Sequence, residues 1–290
     1  MPGRPVLIAL LYAALLLTGC GQAARAPSPA FAVAPRRIVS MNPCVDAVLR
    51  EVAAPGQIAA ISQYSHDPRA TSVPLDWALA YPANNGSAED VIAARPDLVI
   101  AGPHVAVQTI SALKRLGIPL LQVTVPETVA ENKAQIAAIA ARIGRVDAGR
   151  ALGARIDAAL AQSRWTGPPA TALIWQGSGL VPGKGTLADE LLTHAGFRNV
   201  SAQAGLGKWD ILPLEGLFLQ PPRVLLAGEA NMGAGNADAN RMLSHPALRK
   251  AGRYFHLANY PSDLLHCGGP VIVRSLARLS AVRRELEALP

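Results

Sequence analysis

Aromatic residues are scarce, only 4% of the 290-residue chain. Its cores must therefore be built mostly from Ala, Leu, Val and Ile, and each exposed aromatic carries information. Although the formal charge is +7, no run of five Lys or Arg occurs. That pattern is a mildly basic surface rather than a nucleic-acid footprint, and it leaves open a basic cleft for an anionic ligand. There is no His-Glu-x-x-His and no close pair of histidines, which argues against a tight zinc site. Gly177-Ser178-Gly179 lacks the spacing of a nucleophile elbow. In Pro182-Gly183-Lys184-Gly185-Thr186, Gly185 follows the lysine where a phosphate loop needs Ser or Thr. No general acid–base pair stands at a readable spacing, so nothing points to an enzyme.

What is present begins at the N-terminus. Arg4 precedes an apolar stretch, residues 6–17, shorter than the roughly 20 residues that span a bilayer. Leu17-Thr18-Gly19-Cys20 resembles a bacterial lipobox, which implies cleavage before Cys20 and lipidation of its thiol. The plainer alternative is an ordinary signal peptide or short anchor with a chance cysteine. Residues 21–35, rich in Ala, Pro, Ser and Gly, read as a flexible tether. The expectation is an exported chain, lipid-anchored in the periplasm. Cys44 and Cys267 remain. In an oxidising compartment they are candidates for a disulfide; a free thiol or a soft metal ligand are the alternatives.

The chain repeats itself. Residues 89–102 and 215–228 both read Glu, six residues, Pro, four residues, Ala-Gly. Each looks like a short helix feeding a buried strand. Two lobes of one design imply a cleft between them. Strands alternate with helices over residues 37–123, the pattern of a parallel sheet covered on both faces. Residues 128–163 carry an apolar stripe at helical spacing, opened by the capping pair Thr128 and Glu131. They predict a helix of about 50 Å, interrupted by Gly144, Gly149 and Gly153, with a break near Gly144 as a variant. Gly167-Pro168-Pro169 stops it.

In order, Arg37-Ile38-Val39-Ser40, the run from Ala94 to Gly102, Leu116-Gly117-Ile118-Pro119, the long helix, Gly185-Thr186-Leu187 and Cys267-Gly268-Gly269-Pro270 resemble a known pattern. It is that of the substrate-binding proteins of bacterial ABC importers for cobalamin, ferric siderophores and haem. The likeness covers essentially the whole mature chain. One departure is Arg223, which stands where the first repeat has Asp97.

The resemblance implies an α/β fold of two Rossmann-like lobes with parallel sheets, joined by one long backbone helix. The expected organisation is signal peptide 1–20, tether 21–35, N-terminal lobe 36–127, backbone helix 128–163 and C-terminal lobe 164–290. It implies capture of a metal chelate, a corrinoid or ferric siderophore, for delivery to a permease and its ATPase. Haem, or free zinc or manganese held by His66, Asp67, His104 and His266, is the alternative. An exported tetrapyrrole-modifying enzyme is the reading from another class. No resident cofactor, protein-held metal or nucleic acid is expected, and the chain is expected to be a monomer. Glu89 and Glu215, one per lobe, are the expected permease-docking carboxylates; first-turn acids favoured by the helix dipole are the plainer reading.

Ligands of open α/β sheets meet the loops at the carboxyl ends of strands. That rule selects Asn42, Tyr64, His66, Asp67, Gly102, His104, Gln176, Ser178, Trp209, Asn231, Met232, Tyr260 and His266. Tyr64 and Trp209 are the foremost candidates, because a flat ring suits a macrocycle. Trp175, within a strand, is expected in the core. The aromatic and His supply favours a corrinoid over an anionic catecholate, for which Arg69 is the one well-placed arginine of the first lobe.

Overall fold

The computed structural model of the chain describes residues 34–176, 179–228 and 254–289. Within them two α/β lobes follow one another. The first comprises β1 (Ile38–Ser40), α1 (Pro43–Val52), β2 (Ile58–Ser62), α2 (Leu75–Leu79), β3 (Ala83–Asn84), α3 (Ala88–Ala93), β4 (Leu98–Ala101), α4 (Val107–Arg115) and β5 (Leu120–Gln122). Its sheet has the order β3-β2-β1-β4-β5, parallel throughout. A parallel sheet is covered on both faces, so its central strands run nearly continuously apolar. Leu98, Val99, Ile100 and Ala101 of β4 are all fully buried. Asn42 caps α1 by accepting from the amides of Cys44 and Val45, with Pro43 in the first turn.

The second lobe comprises β6 (Ala170–Ile174), β7 (Leu180–Pro182), α7 (Leu187–His194), β8 (Phe197–Asn199), α8 (Val200–Gln203), β9 (Trp209–Ile211), α9 (Leu214–Leu219), β10 (Val224–Ala227), β11 (His256–Asn259) and α10 (Val271–Glu287). Its parallel sheet has the order β11-β10-β6-β8. The two repeats become the equivalent units α3–β4 and α9–β10. Where they differ, the support differs too. Asp97 accepts from the amides of Arg36 and Arg37 at 2.7 and 2.8 Å. In the second lobe the amide of Arg223 instead donates to Thr171 Oγ1 at 2.8 Å. Trp175 is core, 1% exposed, and its indole donates to the Leu212 carbonyl. The Gly-rich stretch after it holds β7, which pairs antiparallel with β9, a ribbon that local sequence did not announce.

The single rod expected over 128–163 is corrected. The structure has two helices, α5 (Val129–Arg142) and α6 (Val146–Ser163), packed antiparallel. Lys133 of α5 pairs with Asp157 of α6, and Gly149 lies against Ala140. The turn is a glycine-terminated helix end. Gly144 sits at φ +73°, its amide donating to Ala141 and the next amide, of Arg145, to Ala140 at 2.7 Å. The capping pair is also rearranged. Thr128 Oγ1 accepts from Glu131 N, but Glu131 reaches the amide of Glu127, one residue earlier.

Both helices bridge the lobes. On the N-terminal lobe, Arg155 of α6 meets Glu51 and the Ile143 carbonyl accepts from Gln57. On the other, Glu190 of α7 accepts from the amide of Val129, and His194 bonds the Leu160 carbonyl. A continuous apolar core runs from Ile38 and Leu98 through Ile136, Ile139 and Ile156 to Leu192, Val224 and Leu279. Among the described residues no helix is long and apolar enough to cross a membrane.

Candidate functional site

A cavity of about 230 Å³ lies between the lobes. On the N-terminal lobe it is bounded by Asn42, Cys44 and Val48 and by the loop after β5, Val123 to Glu127. From α5 come Asn132, Gln135 and Ile136. The opposite wall is Thr186, Leu187 and Leu191 at the start of α7, with Lys208 and Trp209. Tyr260 and residues 264–269 close it. The lining is therefore aliphatic and aromatic with a few amides, the mixture expected of a small-molecule site.

A disulfide joins Cys44, at the start of α1, to Cys267, just before α10, with their Cα atoms 5.1 Å apart. It ties the two lobes together within the cavity wall. Gly268 and Gly269 beside it are shaped by Asn132. The Gly269 amide donates to Asn132 Oδ1 at 2.8 Å, and a Cβ at Gly268 would stand 2.0 Å from the same oxygen. Only glycine fits there. Across the cavity, Lys208 of one lobe pairs with Glu127 of the other.

Of the residues expected to touch ligand, four line this cavity: Asn42, Trp209, Tyr260 and His266. Trp209 presents its ring at 49% exposure. Tyr260 is a wall with no hydroxyl to offer: its oxygen bonds Ser275 Oγ at 2.5 Å, and burial pushes its pKa up to about 12. The phenol stays protonated. The oxygen of Asn42 is committed to capping α1, and its amide fills the space that a side chain at Gly102 would need. His266 is held below the ordinary imidazole pKa mainly by burial, against the Asp263 charge and a bond to the Thr71 backbone. It is a neutral imidazole at pH 7.

The others lie elsewhere. Tyr64 is 57% exposed on a turn of 3-10 helix, Gln63–His66, at the end of β2. His66 donates back into its own lobe, to the Ala78 carbonyl at 3.0 Å. Asp67 pairs with Arg69, which holds its carboxyl below the usual range. His104 is exposed after β4, and Gln176 is half-buried with its amide on Leu180. Ser178, Asn231, Met232 and the lipidation candidate Cys20 lie outside the described residues. Sequence reasoning missed Glu127, Asn132, Gln135, Thr186 and Lys208. The strand-end rule reaches Glu127, which follows β5. No sequence signal indicates that the first turns of α5 and α7 face the same space.

Residues 38–263 match the family model described as "Periplasmic binding protein". No curated protein matches the chain. Among solved structures, it is similar to the apo periplasmic heme-binding protein RhuT of Roseiflexus sp. RS-1, at 22% identity and a TM-score of 0.69, covering 87% of this chain and 97% of that one. It is also similar to the periplasmic vitamin B12 binding protein BtuF of Vibrio cholerae, at 16% identity and a TM-score of 0.66, with 88% and 99% covered. A possible iron-binding periplasmic solute-binding protein from Staphylococcus epidermidis gives 17% identity and a TM-score of 0.66, with 88% and 99% covered. At these identities the likeness shows the fold.

Proposed function

The chain belongs to the periplasmic binding protein family, and from that premise we propose that it is the substrate-binding component of an ABC importer, catching a metal chelate between its lobes. As a member of a family of binding proteins it is a binder and not an enzyme. The observation that carries the reading is the cavity walled by both lobes, with the exposed ring of Trp209 on one side and Gln135 of α5 on the other. A flat ring and scattered amides suit a macrocycle with polar rim groups. Among the described residues no three His, Cys, Asp or Glu converge, which speaks against a free-metal receptor. We take the ligand to be a corrinoid or a ferric siderophore. Haem is the second reading, favoured by the heme-binding protein among the similar structures.

In this reading the chain works in the periplasm, held to a membrane through lipid on Cys20. Glu89 and Glu215 stand exposed in the first turns of α3 and α9, one on each lobe, where a two-fold permease would meet them. Titration of tryptophan fluorescence with cyanocobalamin, hemin and a ferric catecholate tests the reading. One of the three should quench with a Kd below about 10 µM, roughly −7 kcal/mol. Trp209→Phe should remove most of the signal. Quenching by none of them would remove the transport reading.

A further inference from the structure

Asp46 is fully buried in the first turn of α1, in a lobe that buries no other carboxylate among the described residues. Its Oδ2 accepts from the amide of Ser62 at 3.1 Å and from Ser65 Oγ at 2.6 Å. Ser62 ends β2, and Ser65 lies in the turn that carries Tyr64. Ser40, the last residue of β1, lies beside the carboxyl and donates its hydroxyl to the Asn42 carbonyl, which also accepts from the Asp46 amide at 3.1 Å. Nearby, Asn84 donates to the carbonyls of Ser40 and Ile61 at 2.8 and 2.7 Å, fixing the same two strand ends. Further along, Ser72 donates to the Asp263 carbonyl of the other lobe at 2.7 Å, and Arg274 of that lobe donates to the Ser72 carbonyl. The segment that starts at the Asp46-held turn therefore ends on the opposite lobe.

We propose that Asp46 is a positioning residue that locks together two neighbouring strand-end loops of the N-terminal lobe, the one bearing the cavity residue Asn42 and the one bearing Tyr64. This rests on the reading of the cleft as a ligand site. Burial pushes the carboxyl up to about 7, against the pull of Ser40, Ser65 and Ser62. None of those three carries a charge. On the neighbouring turn, His66 is engaged by Ala78 and Asp67 by Arg69. The lock is thus set by a carboxyl that gains or loses its charge near neutrality.

Amide hydrogen exchange on the unliganded protein tests the lock, comparing wild type, Asp46→Ala and Asp46→Asn. In the Ala variant the amides of residues 62–66 should exchange at least ~10-fold faster, while those of Leu98–Ala101 in β4 keep their protection. The Asn variant, which keeps one acceptor oxygen, should restore most of the difference. Unchanged exchange at 62–66, or equal loosening of β4, would overturn the proposal. In parallel, whichever of hemin, cyanocobalamin or the ferric catecholate binds the wild type should bind Asp46→Ala at least ~5-fold more weakly, with rescue by Asp46→Asn. Equal affinity of the Ala variant also counts against the lock. Failure of the wild type to bind any of the three probes counts against the transport reading, while the exchange pattern still decides on Asp46.

Discussion

At the scale of single residues, Asp46 makes a prediction about stability that is separate from its role in the cleft. Its pKa rises from the ordinary 3.8 to about 7 because the fold removes the carboxyl from water, and the hydrogen bonds from Ser65 and Ser62 only partly offset that. The fold therefore binds the proton more tightly than the unfolded chain does. Its contribution to stability is full below about pH 4 and is lost as pH rises toward 7. Over that window the difference is on the order of 4 kcal/mol. Asp46→Asn has no charge to bury, so its stability relative to wild type should climb between pH 4 and pH 8 and level off above. Urea unfolding of both proteins across that range measures the gap. Parallel profiles would show that the carboxyl is solvated in the folded state. A second residue-scale outcome concerns Lys208 and Glu127. Both are about half exposed, so Lys208→Ala should cost no more than about 1 kcal/mol despite the pair crossing the cleft.

At the scale of elements, three glycines in one stretch should respond to the same substitution with different signs. Gly144 turns the chain between α5 and α6 at φ +73°, and a Cβ there would stand 2.8 Å from the Ala34 Cβ. Gly144→Ala should lose about 1–2 kcal/mol. Gly149 lets the two helices approach, since its Cβ would lie 2.4 Å from that of Ala140; Gly149→Ala should lose about 1–3 kcal/mol by overpacking. Gly153 meets nothing closer than the Lys133 Cε at 3.9 Å. Gly153→Ala should gain about 0.5–1 kcal/mol from helix propensity. Thermal melts of the three variants check the order.

The same stretch shows where sequence reading stops. The apolar stripe of residues 128–163 keeps its helical spacing through Gly144, so periodicity alone extends one rod across a point where the backbone reverses. Whether a glycine is a tolerated interior residue or a terminator depends on the partner it turns toward, here Ala140 facing Gly149. The α3–β4 and α9–β10 units were legible because strand burial on both faces demands an uninterrupted apolar run, as in Leu98–Ala101 and Val224–Ala227. The strand-end rule found Asn42, Trp209, Tyr260 and His266. It also selected His66, whose ring turns inward to Ala78, because the direction of a side chain in a loop is set by neighbours far along the chain.

At the scale of the whole molecule, the lobes are braced by α5, by α6 and by the Cys44–Cys267 bridge in the cavity wall. Two packed helices sharing one core resist hinging more than a single rod does, so closure around a ligand should be small. The bridge adds a different restraint, because its ends lie 223 residues apart in sequence. Closing so long a loop costs the unfolded chain about 5 kcal/mol in the chain-entropy account, and measured losses on removing native disulfides run to about 2–5 kcal/mol. Cys44→Ala with Cys267→Ala should therefore shift the urea midpoint downward by a loss in that range. The helix pair and its core remain, so the double variant should still fold. Its cleft floor, however, then keeps the bond of Gly269 to Asn132 at that point without the covalent tie. Release of a bound chelate should become several-fold faster while its association rate changes little, because the walls are intact and only the restraint on their separation is gone. Stopped-flow release from the two proteins measures this. Loss of stability without faster release would confine the bridge to folding; faster release with the stability loss would make it part of how the cleft keeps its guest.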